Sequence, residues 1–130
     1  MALRVLTVFA LALAAQASSP DIDTDAITCG SSSENPSTGG VTNVINEVRP
    51  KAECAQSNGW GDKCRQLVKH SDAQIKICGA SDGIKSMGYP CTDIATYANA
   101  IQQQCLDNDS QTSGGTYQID DDQWIEVVAL

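Results

Sequence analysis

The sequence is poor in aromatic and basic side chains. Only 5% of its 130 residues are aromatic, histidine occurs once, and 8 Lys and Arg stand against 16 Asp and Glu. Proteins that bind nucleic acids or anionic membranes need clustered Lys and Arg to neutralise phosphates. The composition therefore argues against nucleic acid and anionic membrane as partners.

The sequence also lacks the patterns of common metal sites. No two cysteines stand two to four residues apart, and His70 is the single histidine, so a zinc site is not expected. The acidic run Asp120–Asp122 lacks the spaced ligands of an EF-hand and is interpreted as a solvated turn. We expect neither a metal nor another cofactor.

Catalytic constellations are equally scarce. Ser71, His70 and Asp72 are consecutive, and consecutive side chains on a strand or helix do not face one another. Small acidic fungal ribonucleases of similar size depend on paired His and Glu with Arg, and this chain has one His. The sequence therefore predicts no enzyme, and His70 is interpreted as a surface or helix-end residue.

A long apolar run occurs only at the N-terminus. Arg4 precedes the apolar residues Val5–Ala15, which are too few to span a bilayer, and Ala15-Gln16-Ala17 matches a signal-peptidase site. We expect residues 1–17 to be a signal peptide and residues 18–130 to be one soluble, secreted domain. Without Arg4, that domain has 7 basic and 16 acidic residues and a net charge of −9.

The mature domain contains an even number of cysteines. In a secreted chain this predicts a framework of three disulfides, and 15 pairings are formally open. The six residues are Cys29, Cys54, Cys64, Cys78, Cys91 and Cys105.

Hydrophobic periodicity predicts the element order β-α-β-α-β-β. We expect an α/β fold, a single-domain sandwich of a small β-sheet covered by helices. The predicted strands are Asp25–Cys29, Ala73–Cys78, Tyr117–Ile119 and Trp124–Val128. The predicted helices are capped by Thr42 and Thr92, with further short helical turns at Lys51–Ala55 and Cys64–His70.

The second helix limits the disulfide pairing. Cys91 and Cys105 lie at its two ends, fourteen residues apart in sequence. At 1.5 Å of rise per residue they are roughly 20 Å apart, far beyond disulfide reach. Each must therefore pair with a different cysteine.

The residues around Trp60 are the best candidates for ligand binding. Asn58, Trp60 and Asp62 lie in a glycine-containing loop, and Tyr89 follows Gly88 in a second loop. An aromatic ring suits the C–H face of a sugar, and carboxylates or amides suit its hydroxyls. The alternative is that Trp60 folds back into a small core, and the sequence leaves both interpretations open.

Other aromatic residues are assigned mainly to packing. Trp124 is expected in the core or on a sheet face, Tyr97 in either setting, and Tyr117 on an exposed sheet face. The final strand, Trp124–Val128, is interpreted as a sheet edge suited to pairing with a second chain, which leaves a homodimer open. Asn108-Asp109-Ser110 matches the N-glycosylation pattern, although the central Asp disfavours its use.

The precursor length, the leader MALRVLTVFALALAAQA, the three-disulfide α/β layout and the late GGTYQI…WIEVV hairpin carry a resemblance. On these features the chain resembles the small secreted glycan-binding lectins of ink-cap mushrooms, described as inhibitors of plant viruses and as toxic to T cells. The resemblance implies binding of fucosylated LacdiNAc-type glycans on glycoproteins, without catalysis. The alternative is a fungal effector or killer-toxin-like protein that acts on a protein target.

Overall fold

The computed structural model describes residues 20–31, 34–56, 64–79 and 87–130. In that part of the chain two helices pack on a five-stranded antiparallel sheet, which confirms the predicted α/β class. The elements in chain order are β1 (Ile27–Cys29), α1 (Thr38–Val48), β2 (Cys54–Gln56), β3 (Cys64–His70), β4 (Ala73–Gly79), β5 (Met87–Tyr89), α2 (Cys91–Gln104), β6 (Gly115–Gln118) and β7 (Gln123–Ala129).

The sheet has the strand order β1-β6-β7-β4-β3, and β2 and β5 form a separate antiparallel ribbon. Strand β7 is central, because it pairs with β6 on one side and with β4 on the other. The prediction that this final strand forms an edge for a second chain is therefore wrong. The edges of the described sheet are β1 and β3.

The alternation of buried and half-buried side chains along the central strand β7 distinguishes the two faces of the sheet. Successive side chains of a strand point to opposite faces, and those on the helix side fill the core. On the opposite face, Lys76 and Glu126 are only half-buried. The fully buried side chains of the two central strands are Ile75, Ile77, Ile125 and Val127.

Helix α1 begins at Thr38 because Ser37 caps it. The Ser37 Oγ accepts a hydrogen bond of 3.1 Å from the backbone N–H of Gly40, which satisfies one free donor of the first turn. The predicted cap, Thr42, lies inside the helix, and its hydroxyl donates to the carbonyl of Thr38. The buried apolar side chains of the helix form one stripe, which consists of Val41, Val44, Ile45 and Val48.

Helix α2 begins one residue before the predicted cap, at Cys91, with Pro90 at the N-cap position and no side-chain cap. Its Tyr97 stacks on Tyr117 of β6, with ring centroids 4.5 Å apart and an interplanar angle of 14°. Tyr117 is only 4% exposed, so the expectation that it lines an exposed sheet face is wrong. The aromatic pair instead joins α2 to the sheet.

The three disulfides pair Cys29 with Cys105, Cys54 with Cys91, and Cys64 with Cys78. This confirms that Cys91 and Cys105 reach different partners. The first two bridges fix the two ends of α2 to β1 and β2. The third joins neighbouring residues of β3 and β4.

Several segments differ from the predicted secondary structure. The first strand starts at Ile27 rather than at Asp25, because Thr24–Ala26 form a short 3-10 helix. Residues Cys64–His70 form strand β3 rather than a helical turn, and its register shifts between Gln66 and Val68. This irregularity breaks the alternation that identifies a strand in sequence. Residues 51–53 are irregular rather than helical, and β2 starts at Cys54.

The β3–β4 turn is fastened to the start of α1. Asp72 accepts hydrogen bonds of 2.8 Å from both the backbone N–H and the hydroxyl of Ser37. The backbone hydrogen bond lowers the pKa of Asp72 below its ordinary value. Gly40 makes this contact possible, because a Cβ there would collide with the Asp72 carboxylate.

Gly40→Ala should lower the free energy of unfolding by about 1–3 kcal/mol, because the added methyl displaces Asp72 from Ser37. Gly39→Ala is the matched control, since its Cβ meets nothing within 4 Å. At that position the higher helix propensity of Ala should stabilise by up to about 1 kcal/mol. Urea unfolding of both variants measures the difference, and effects of equal sign and size would contradict this packing.

The disulfides should differ in their contribution to stability according to the loops they close. The sequence separations are 76, 37 and 14 for Cys29–Cys105, Cys54–Cys91 and Cys64–Cys78. Chain entropy then predicts losses of about 4.5, 4 and 3 kcal/mol when each pair is replaced by Ala. Guanidinium unfolding of the three double variants tests this order, and the largest loss at Cys64–Cys78 would contradict it.

Candidate functional site

Three of the predicted ligand-binding residues, Asn58, Trp60 and Asp62, lie outside the described residues. The described residues end with strand β2 and resume at Cys64, the first residue of β3. Their role in binding therefore stays a prediction from sequence.

Tyr89 lies in strand β5 rather than in a loop, and it is half-buried. Its hydroxyl donates to Asp120 Oδ2 at 2.9 Å and also bonds Gln123 Oε1. Burial, followed by the hydrogen bond to Asp120, raises the pKa of Tyr89 above its ordinary value. The hydroxyl thus connects the β2–β5 ribbon to the β6–β7 turn, and its part in glycan binding stays a prediction.

The acidic run Asp120–Asp122 is engaged in this turn. Asp120 Oδ1 accepts a hydrogen bond of 2.8 Å from the backbone N–H of Asp122, while Oδ2 accepts from Tyr89. Such side-chain-to-backbone bonds are typical of tight turns. The Asp120 carboxylate therefore acts in shaping the hairpin.

His70 and its neighbours lie on the exposed surface beside α1. The left-handed backbone of Ser71, with φ 55°, brings its Oγ within 3.0 Å of His70 Nδ1, although consecutive residues were not expected to meet. His70 Nε2 is 3.8 Å from Glu47, with the two side chains 45% and 46% exposed. Asp72 bonds Ser37 instead. The set thus lacks the buried orienting acid of a Ser-His-Asp triad.

The sheet face opposite the helices is the main candidate for a binding surface in the described part of the chain. No described helix or strand packs on it, and we call it the open face. One row of side chains crosses all five strands, because the register places each residue beside the next. This row consists of Thr28, Thr116, Glu126, Lys76 and Gln66.

The neighbouring row of the open face contains an aromatic and a disulfide. Trp124 lies opposite Gln118 on one side and Cys78 on the other. Its indole Nε1 donates a hydrogen bond of 3.2 Å to Glu126 Oε1. Trp124 is half-buried, so it lies on a sheet face, one of the two settings predicted for it.

Glu126 also lies close to the disulfide of this row. One of its carboxylate oxygens and the sulfur atoms of Cys64 and Cys78 are all within 4.8 Å of one another. Three such ligands have the spacing of a metal site, but both sulfurs are joined in a disulfide, and a metal requires free thiolates. We therefore assign no metal to this cluster in the oxidised protein.

A groove of about 210 Å³ crosses the open face above β1, β6 and β7. We call it the β1/β6/β7 groove. Its floor comes from the strands, and one wall comes from the segment that follows β1. The side chains that matter for recognition are Thr28, Glu34, Asn35, Thr116, Glu126 and Val128.

Several polar groups in this groove have no protein partner among the described residues. These are the hydroxyls of Thr28 and Thr116 and the carboxylate of Glu34, while Glu126 accepts only the indole N–H of Trp124. The Asn35 amide N–H donates to the carbonyl of Gly30 at 3.3 Å. The groove therefore presents unused acceptors and hydroxyls from several chain segments to one space.

A second groove lies on the helical side of the molecule. It has a volume of about 320 Å³ and is lined by Thr38, Thr42, Gln102 and Leu106, among others. The Gln102 amide already donates to the Thr38 carbonyl and the Thr42 hydroxyl. Its Gln102 amide thus already joins α1 to α2, which makes the β1/β6/β7 groove the better candidate for a binding site.

Charge is distributed unevenly along the mature chain and across the sheet. All seven Lys and Arg residues lie between positions 49 and 85, and residues 18–48 and 86–130 contain none. Strands β3 and β4 lie within positions 49–85, where the Lys and Arg residues are found. Strands β1, β6 and β7 lie in the two segments that contain no Lys or Arg. The β1/β6/β7 groove is therefore built from chain segments that carry negative charge only.

Comparisons with protein-family models, with curated proteins and with solved structures found no match to this chain. No helix among the described residues is long and apolar enough to cross a membrane.

Sequence reasoning missed the β1/β6/β7 groove. A weak signal was present, because Thr116 alternates with the buried Tyr117, and Glu126 alternates with Ile125 and Val127. That alternation places Thr116 and Glu126 on the outer face of their strands. It does not bring in Thr28 and Asn35, which reach the groove only through the pairing of β1 with β6.

Tyr89→Phe should lower the free energy of unfolding by about 1–2 kcal/mol, because Asp120 and the buried Gln123 lose a donor. Since the folded state raises the Tyr89 pKa, wild-type stability should fall as pH rises above about 10, the ordinary tyrosine value. The variant should lose less stability over that range. Thermal unfolding between pH 8 and 11 measures both effects, and identical pH profiles would contradict this role for the hydroxyl.

Proposed function

We propose that the chain is a secreted, non-catalytic lectin that binds glycans of glycoproteins. The open face of the sheet carries this proposal. It presents threonine hydroxyls, glutamine amides and one carboxylate around a half-buried tryptophan. Sugars require this mixture, since they offer many hydroxyls and a few apolar C–H faces.

Secretion is supported by the cysteine chemistry. All six cysteines are paired, and the described residues include no free thiol. Disulfides of this density form and persist in oxidising compartments. Together with the leader sequence, they favour an extracellular protein.

The disulfides also favour a binding role for the face. They hold α2 and the edge strands in place, so the side chains of the open face are positioned before a ligand arrives. A preorganised surface loses less conformational entropy on binding than a mobile one. This benefits sugar recognition, in which each hydrogen bond contributes little on its own.

The glycan class follows from the resemblance noted above. Fucosylated LacdiNAc-type glycans, in which GalNAc is linked to fucosylated GlcNAc, are the proposed ligands. Antiviral and cytotoxic effects would then be consequences of binding glycoproteins on viruses or cells. The uncharged character of these glycans agrees with the net charge of −9 for the mature domain.

A glycan array probed with oxidised, full-length mature protein tests the lectin proposal. We expect selective binding to neutral oligosaccharides, with the strongest signal on fucosylated LacdiNAc. Protein with its disulfides reduced and alkylated is the control for a folded binding site. Silence of the folded protein across the array would contradict a lectin and favour an effector or killer-toxin-like protein acting on a protein target.

Trp60→Ala should weaken binding by about 1–3 kcal/mol if the indole stacks on a sugar. Trp60→Phe is the control that keeps an aromatic ring, and it should retain most of the affinity. Titration with the best array ligand gives the affinities, and circular dichroism checks the fold. Unchanged affinity in a folded Trp60→Ala variant would exclude this residue from the site.

A further inference from the structure

We propose that the β1/β6/β7 groove is the subsite for one neutral sugar residue of the glycan. This inference rests on the proposed lectin function, and it assigns that function to particular residues of the open face. It further predicts which glycans the protein rejects, namely those that carry sulfate or sialic acid at the sugar in the groove.

The size of the groove sets the size of the ligand. Its volume of about 210 Å³ is below the roughly 300–1,000 Å³ of sites that enclose drug-sized ligands. One sugar ring matches this space, while the rest of an oligosaccharide extends along the sheet. Trp124 and Gln118 lie in the adjacent row in that direction.

The polar groups match the hydroxyls of a sugar. The Glu34 and Glu126 carboxylates accept hydrogen bonds, and the Thr28 and Thr116 hydroxyls both donate and accept. Hydrogen bonds to a charged acceptor are stronger than those between neutral groups. Val128 adds an apolar surface for a C–H face or a methyl group. No described side chain competes for the two threonine hydroxyls or for Glu34.

The wall of the groove is fixed by close backbone packing. The backbone N–H of Gly30 donates to the carbonyl of Gly114 at 3.0 Å. A Cβ at Gly114 would come within 2.8 Å of Asn35 Oδ1, and a Cβ at Gly30 would collide with the same atom. The following residue, Pro36, is fully buried. Asn35 is therefore held between two glycine backbones, and the groove exists before a ligand binds.

Charge decides which ligands are accepted. The groove contains two carboxylates and no Lys or Arg among its lining residues, so sulfate or sialate inside it would meet repulsion. The nearest cation in the row is Lys76, which is paired in register with Glu126 on the far side of β7. Lys76 therefore lies outside the groove.

A basic peptide is the competing occupant for an acidic groove. Two observations favour the sugar. The hydroxyls of Thr28 and Thr116 form much of the floor and would give an ammonium or guanidinium group little, whereas both roles of a hydroxyl are used by a sugar. In addition, Glu126 Oε1 already accepts the indole N–H of Trp124, so this carboxylate has fewer free lone pairs to offer a cation.

Two isosteric substitutions test the groove. Thr116→Val removes one hydroxyl, and Glu126→Gln removes the charge but keeps an oxygen that can accept from Trp124. Each should weaken binding of the fucosylated LacdiNAc oligosaccharide by about tenfold or more. Glu126→Gln should also reduce the preference for this oligosaccharide over its sulfated form, whereas Thr116→Val should leave that preference unchanged.

Thr96→Val is the matched control. Thr96 lies on α2, on the opposite side of the sheet, and its hydroxyl donates to the Thr92 carbonyl within the helix. The same chemical change there should leave glycan affinity unaltered. Thermal unfolding and circular dichroism of all variants verify that affinities are compared between folded proteins.

The outcomes separate this inference from the lectin proposal. Wild-type protein that binds no oligosaccharide on the array overturns both. Wild-type protein that binds, with Thr116→Val and Glu126→Gln as tight as wild type, overturns the groove alone and favours the Trp60 segment as the site. Displacement of the glycan by oligolysine, with loss of oligolysine binding in Glu126→Gln, overturns the neutral-sugar assignment.

Discussion

The attachment of α2 at both ends is the constraint on which the other parts of this structure depend. Cys91 at the start of the helix is bonded to Cys54, and Cys105 just past its end is bonded to Cys29. One helix thereby holds the ribbon strand β2 and the edge strand β1, which are three residues long each. Strands this short are too weak to stay paired on their own. Since Thr28 and Cys29 of β1 line the β1/β6/β7 groove, the proposed sugar subsite depends on a bridge to a helix on the other side of the sheet.

One face of the sheet is buried against the helices and the other is open, and the same strands contribute side chains to both. Ile125 and Val127 of β7 bury their side chains against the helices, while Trp124 and Glu126 between them remain on the open face. A substitution on the open face is therefore expected to alter the proposed glycan recognition with little effect on the core. A change in affinity of the Thr116 or Glu126 variants can therefore be attributed to the open face. The buried side chains that stabilise the sheet are those of their sequence neighbours.

Periodicity in the sequence predicted the parts of the fold that are determined locally. It identified β4, the β6–β7 hairpin and both helices, and the length of α2 excluded one disulfide. It failed at β3, where the register shift between Gln66 and Val68 interrupts the alternation, and at β5, which is held by pairing with β2. The central position of β7, the burial of Tyr117 and the groove depend on strand order, which brings together residues far apart in sequence. No local pattern in the sequence determines the strand order. The segment with Asn58, Trp60 and Asp62 lies outside the described residues, so the best candidates from sequence stay predictions.

The two edges of the sheet also bear on how many ligands one particle can hold. Strand β1 offers only three residues for pairing, and β3 has an irregular register and the exposed charge of Lys69. Such edges resist the addition of another strand. A monomer of the proposed lectin would bring one groove to a cell or virus surface. Its residence time there would be set by the affinity of a single contact, without the gain in avidity that linked sites provide. Bound molecules would coat a glycosylated surface and mask it, rather than bridge two surfaces and agglutinate them.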